Sequence, residues 1–225
     1  MNDKSYTSPV LRLPLKVDSQ RLSALFEESG IYNRMAECNS VSLVHRNGAA
    51  DPWMDGVTPQ TLSCGQQFSF SEGDFSILNP GLPGSYFQEC HQLFKHATSS
   101  RVGRIRLFSR HPQTSSSLHR DLDVRLHLAL ASNQDSFLVF PQIGVFHIPS
   151  DDHIYMVDTT RPHFAVNTHT SQHRIHLVCN TYCGFREERT REGEITAVAR
   201  ELFKKTALTP DVDRLPALAC GGTDL

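Results

Sequence analysis

Between Arg104 and Tyr182 the sequence breaks into seven short apolar runs: RIRLF, DVRLHLAL, SFLVF, GVFHI, HIYMVDT, HFAVN and HRIHLVCNTY. Each is rich in β-branched, leucine or aromatic residues, several alternate with polar positions, and polar or proline-containing turns separate them. Such runs read as strands. The connections leave no room for regularly interposed helices, so the pattern predicts an antiparallel sandwich or jelly roll rather than βαβ units.

Helical periodicity flanks this region. After Asp18 or Ser19 as cap, Leu22, Leu25 and Phe26 share one face, and Gly30 reads as the stop. Phe87, Cys90, Phe94 and Ala97 repeat the spacing in SYFQECHQLFKHAT. A third helix is expected over 187–207, where Ile195, Val198, Ala199, Leu202 and Phe203 form a stripe, followed from Thr209 by an irregular tail. The stretch from His45 to Gln67 is rich in Gly, Pro, Asp and Asn and has the length of a lid or binding loop. Its Trp53 either covers a substrate or anchors that loop to the core. The expected architecture is mainly β with flanking helices. It is a single domain over 1–225, with helical and loop support over 1–99 and a strand core over about 100–182.

With 39% hydrophobic residues a chain of 225 can bury a substantial core, and a formal charge of −2 gives no basis for nucleic-acid binding or attraction to acidic membranes. The opening residues MNDKSYTSPV lack the apolar region of a secretory signal, and no apolar run approaches the ~18 residues of a spanning helix. A soluble, cytoplasmic protein is expected. Six cysteines lie scattered without paired spacing, which predicts reduced structural thiols.

Nine of the twelve histidines fall from His111 to His176. His119 and Asp121, two apart, point to the same side of an extended chain, and His163 opens a later strand-like run. Two imidazoles and one carboxylate can occupy one face of an octahedral Fe(II) and leave positions open for cosubstrate and O2. The same donors also suit a zinc hydrolase, and H-x-D alone fits a strand with exposed polar residues. Arg174 separates these readings. It sits among Ile175, Leu177 and Val178, where an unpaired guanidinium is costly, and its planar fork matches a carboxylate. A dicarboxylic cosubstrate that chelates the metal at one end and meets Arg174 at the other, such as 2-oxoglutarate, accounts for it.

Arg125 and His127 alternate with Val124, Leu126 and Leu128. They line either a polar cavity or a solvated outer face, and Arg174 with His176 repeats the R-x-H spacing. Arg110, His111, Arg161 and Phe164 are candidates for substrate contact. His147, His153, His169 and His173 read as turn or surface residues, and Arg120 and Asp123 as solvent-facing.

The stretch from RIRLF through LHRDLDVRLHLAL to DTTRPHFAVNTHTSQHRIHLV resembles the aspartyl/asparaginyl β-hydroxylase-like branch of the Fe(II)/2-oxoglutarate-dependent oxygenases. Bacterial members similar to cis-type proline hydroxylases are nearest. The resemblance is specific over about residues 104–180 and looser at SVSLVHRNG and YFQECHQLF. It implies a double-stranded β-helix (jelly roll, cupin-like) and Fe(II) bound by His119, Asp121 and His163. It further implies that Arg174 holds the distal carboxylate of 2-oxoglutarate, with Arg125 and His127 near that cosubstrate. The implied reaction uses O2 and decarboxylates 2-oxoglutarate to succinate. In it an unactivated C–H of an amino acid is hydroxylated, the substrate being free, conjugated or in a small peptide. Desaturation or cyclisation at the same site, or a non-catalytic cupin-like metal-binding protein, are the alternatives. Asn180 stands where relatives often carry an acidic residue.

Overall fold

The computed structural model describes residues 8–57, 70–98 and 101–182. The helix expected at 187–207, the tail after it and the later part of the 45–67 loop lie outside the described residues.

Strand β1 (Val10–Lys16) leads into helix α1 (Ser19–Glu28), whose N-cap Asp18 accepts from the Arg21 amide at 2.8 Å. Gly30 does not simply end that helix. At φ 68° it turns the chain into a second helix, α2 (Ile31–Cys38), a left-handed corner that glycine adopts without strain. Short strands β2 (Ser40–Ser42) and β3 (Val44–His45) follow, then β4 (Ile77–Leu78) and helix α3 (Tyr86–Ala97) with its expected apolar face buried. The remaining strands are β5 (Val102–Arg110), β6 (Thr114–Ser115), β7 (Arg125–Ala131), β8 (Ser136–Phe140), β9 (Gly144–Phe146), β10 (His153–Val157), β11 (Phe164–Asn167) and β12 (Arg174–Thr181). Every one of the seven apolar runs contains a strand.

All pairings are antiparallel. A six-stranded sheet in the order β1-β10-β7-β12-β5-β2 is accompanied by a four-stranded sheet in the order β6-β11-β8-β9. This is a double-stranded β-helix, or jelly roll, with helices on the outer side of the larger sheet. Two of the larger sheet's strands, β1 and β2, come from the N-terminal segment that sequence reading assigns to helical and loop support.

The pleat divides the larger sheet cleanly. Ile105, Leu107, Leu126, Leu128 and Leu177 pack with Leu22, Phe26, Phe87 and Phe94 in one apolar cluster. A fully buried leucine there contributes about 1.5–3 kcal/mol relative to an exposed one. A smaller cluster of Leu138, Phe140, Phe146, Ile148, Tyr155 and Val157 joins the two sheets. Trp53 packs against the larger cluster, and its carbonyl accepts from the Ser42 amide at 2.8 Å, so it anchors its loop. Among the described residues no helix is long and apolar enough to cross a membrane.

Candidate metal centre

His119 and His163 are clipped together by their own backbones. The His119 amide donates to the His163 carbonyl at 3.0 Å, and the His163 amide returns the bond at 2.9 Å. Asp121 is held two residues on, its amide bonded to the Thr159 carbonyl at 2.8 Å. The strand-like alternation read from H-x-D thus survives as a bridged, extended segment just before β7.

Each imidazole is also oriented from behind. His119 Nδ1 lies 2.7 Å from the Ser117 carbonyl and His163 Nδ1 lies 2.9 Å from the Arg161 carbonyl. A carbonyl can only accept, so the proton belongs on Nδ1 and the Nε2 lone pairs are free. Those lone pairs face Asp121, with His119 Nε2 4.0 Å from Oδ1 and His163 Nε2 3.6 Å from Oδ2. One ligand atom from each of the three residues lies within 4.8 Å of the others.

Asp121 Oδ1 accepts from Arg125 Nη2 at 2.6 Å, whereas the buried Oδ2 has no hydrogen-bond partner among the described residues. Two imidazole lone pairs and an orphaned carboxylate oxygen converging without a proton between them form a donor set suited to a divalent metal ion. Burial also pushes the His163 imidazole below its ordinary value, which favours the neutral, ligating form. Its ring stacks on Phe140 with centroids 5.6 Å apart.

The cross-strand register shows what lies beside this cluster. Arg174 is opposite Arg110, His176 opposite Phe108 and Ala129, Val178 opposite Arg106 and His127, and Asn180 opposite Arg125. The inner face of the larger sheet therefore carries Arg104, Arg106, Arg110, Arg125 and Arg174 together with His127, His176 and Asn180. Of the two environments open to Arg125 and His127, the structure gives the interior one.

Arg174 is buried, with Nε donating to His176 Nε2 at 3.0 Å and Nη2 lying 2.9 Å from His176 Nδ1. Among the described residues it has no carboxylate partner. Burial, reinforced by Arg110, lowers its pKa to about 9. Desolvation and neighbouring arginines push His127 and His176 well below their ordinary values, so both are neutral at pH 7. Their Nδ1 atoms are 3.4 Å apart. A neutral His176 fixes the Arg174 fork without cancelling its charge.

Sequence reasoning misses a second polar network. Glu72 accepts from Arg104 Nε at 2.9 Å, from the Arg104 amide at 2.9 Å and from Asn180 Nδ2 at 2.8 Å. Burial drives the Glu72 carboxyl upward, but the bonds and charge of Arg104 outweigh it and hold its pKa below the ordinary value. Gly103 makes room for this arrangement, since a Cβ there would fall 2.5 Å from Glu72 Oε2 and 2.6 Å from its Cβ. Asn180 thereby gains a structural role. The Arg-x-Arg alternation in RIRLF is the one signal that could have pointed to the network.

The remaining candidates separate. Arg161 pairs with Asp158 at 2.8 Å, and His111 contacts Asn39 and His173 at the sheet margin. Phe164 is half-buried in β11, and Arg110 shares the inner face with Arg174. Two surface readings need correction. His153 is buried in β10, with Nδ1 3.0 Å from Arg12, and Asp123 is half-buried with its carbonyl accepting from the Thr159 hydroxyl at 2.5 Å.

No family model matches the chain and no curated protein matches it. Solved structures do. The full-length T7H of Neurospora crassa in complex with alpha-KG is similar at TM-score 0.45 and 11% identity, over 88% of this chain and 86% of that one. A 2OG-Fe(II) oxygenase family oxidoreductase from Burkholderia pseudomallei is similar at TM-score 0.35 and 17% identity, over 47% of this chain and 59% of that one. A cupin domain from Bordetella pertussis Tohama I is similar at TM-score 0.32 and 10% identity, over 36% of this chain and 81% of that one.

Proposed function

We propose that this protein is an Fe(II)- and 2-oxoglutarate-dependent dioxygenase that hydroxylates an unactivated C–H bond of an amino acid or amino-acid-derived small molecule. The observation that carries the reading is the pairing of two features, linked by the bond from Arg125 on the larger sheet's inner face to Asp121. One is a three-residue cluster with converging lone pairs; the other is a buried arginine with no carboxylate partner among the described residues.

His119, Asp121 and His163 would hold the metal, and Arg125 keeps the Asp121 carboxylate turned toward the two imidazoles. Arg174, braced by His176, would receive the distal carboxylate of 2-oxoglutarate, where a bidentate pair is strong because water is excluded. Arg125 and His127 line the space between these two ends. When bound, iron with 2-oxoglutarate and O2 supplies the oxidising chemistry, with succinate and CO2 as coproducts and one oxygen atom going to the substrate. The protein's own contribution is to fix both ends of the cosubstrate and to keep water out. A protein that merely stores a metal gives Arg174 no use.

Anaerobic protein with Fe(II) and 2-oxoglutarate should develop a weak visible charge-transfer band that Asp121→Ala abolishes. Under O2 an amino-acid panel should release succinate and yield a product heavier by one oxygen. No band and no succinate with any member would rule the reading out.

A further inference from the structure

The three candidate ligands hang on one short turn. Residues 158–163 follow β10, and the main chain there holds each ligand in place. The Arg161 carbonyl orients His163, the His163 backbone clips His119, and the Thr159 carbonyl accepts from the Asp121 amide. The turn is itself pinned at its start. The Asp158 amide donates to the Pro9 carbonyl at 2.8 Å and the Thr159 amide to the Val157 carbonyl at 2.9 Å, while Thr160 and Arg161 close onto the Asp158 carboxylate.

Thr159 has a second hold on the site. It is 1% exposed, and its hydroxyl donates to the Asp123 carbonyl at 2.5 Å across 36 residues of sequence. Its backbone carbonyl would meet the Asp121 amide whatever side chain it carried. The hydroxyl adds an anchor two residues further on, so a single residue brackets Asp121–Asp123 from both ends. That segment belongs to no strand, since the bridge at His119 lies before it and β7 opens only at Arg125. The next carbonyl, that of Val124, accepts from the Thr181 hydroxyl at 2.7 Å. Two buried hydroxyls thus take the place of a strand partner just behind the acidic ligand.

A bracket is needed because Asp121 is pulled two ways. Arg125 Nη2 grips Oδ1 at 2.6 Å, and a guanidinium fork takes both oxygens of a carboxylate where the backbone lets it. Only a fixed main chain keeps Oδ2 turned toward His163 Nε2, 3.6 Å away. We propose that the Thr159 hydroxyl is a positioning group of the metal centre, holding Asp121 so that Oδ2 stays with the imidazoles and not with Arg125. This rests on the metal-binding part of the reading above. Thr159 is not itself a ligand; it acts through the main chain of Asp121–Asp123.

Mn(II) titration of the full-length protein, followed by EPR beside urea midpoints, tests the assignment. Thr159→Val keeps the branched shape and removes only the hydroxyl. It should weaken Mn(II) about 10- to 100-fold, the range for losing a partner that orients a ligand. Thr159→Ser keeps the hydroxyl and removes a buried methyl. It should lower the urea midpoint yet hold Mn(II) within about threefold of the unaltered protein. A merely structural role would make affinity follow stability in both variants. Unchanged Mn(II) affinity in Thr159→Val, or an equal loss in Thr159→Ser, would overturn the proposal. Should Thr159→Val fail to fold, Thr159→Ala supplies the arm without the hydroxyl, and a tenfold loss in Thr159→Ser is decisive alone. The Fe(II)–2-oxoglutarate band reports separately on the oxygenase reading. Hydroxyl-dependent Mn(II) binding without that band removes the oxygenase reading and leaves Thr159 its role. A band with affinity indifferent to the hydroxyl does the opposite, and no Mn(II) bound by the unaltered protein removes both.

Discussion

Along β12, Leu177 and Cys179 turn toward the helices while Arg174, His176 and Asn180 turn inward, and β5 and β7 divide in the same way. The helix-side residues sit in a continuous apolar cluster. Their inner-face neighbours carry five arginines, and among the described residues several buried polar atoms on or beside that face lack hydrogen-bond partners, including Arg106 Nε, Asp121 Oδ2 and His127 Nε2. One face supplies the burial that drives folding; the other holds charged groups at a cost to it. A period-two alternation lets a single strand do both.

Substitutions should separate the two faces. Asp121→Ala is expected to have the largest effect, lowering iron-dependent turnover roughly a thousandfold or more, since a metal centre supplies several kcal/mol of stabilisation. Steady-state succinate release measures it. Arg174→Met should weaken 2-oxoglutarate by about 2–5 kcal/mol, or roughly 30- to 4,000-fold. The same change should leave metal-free stability equal or raised by up to about 4 kcal/mol, because it removes an uncompensated buried charge. Leu177→Ala should do the opposite, losing about 2–5 kcal/mol of urea stability while metal affinity of the folded protein stays constant. If Arg174→Met destabilised the metal-free fold as much as Leu177→Ala, the division between faces would be wrong.

Arg125→Ala, by releasing Asp121, should reduce metal affinity about 10- to 100-fold. The smallest effect concerns pH. Glu72 has a folded pKa held below its ordinary value, so its stabilisation is complete above about pH 4.3 and is lost as pH falls through the folded value. Glu72→Gln should cost about 1–2 kcal/mol at pH 7. That gap should close as the pH falls below 4.3, which urea midpoints across pH would show. A gap that widened in acid would contradict the sign.

Much of this was legible from the sequence for a physical reason. Local alternation reports which residues share a face, and the seven core runs, α1 and α3 all carry it strongly. The candidate residues His119, Asp121 and His163 stand out by residue type and spacing, and Arg174 because a charged residue inside an apolar run is expensive unless used. Strand β1 escaped notice because Pro14 interrupts VLRLPLK, yet as an edge strand of the larger sheet it tolerates a residue that cannot donate. Helix α2 was hidden by Gly30, whose left-handed φ both closes one helix and opens the next. The Glu72–Arg104–Asn180 contacts join segments far apart in sequence, and no local pattern encodes such a meeting. Arg106 reads in the sequence only as part of a strand, because its contacts with Asn180 and Phe108 are a property of the assembled interior.

The reciprocal backbone bonds between His119 and His163 tie strand register to chemistry. A slip of one residue would present Pro162 or Phe164 in place of His163, and neither has a lone pair to offer a cation. If the proposed ion binds here, only correctly aligned molecules can hold it, and the ion would act as a proofreader of the fold. Metal added during refolding would select the right alignment from among its near misses and lock it in place.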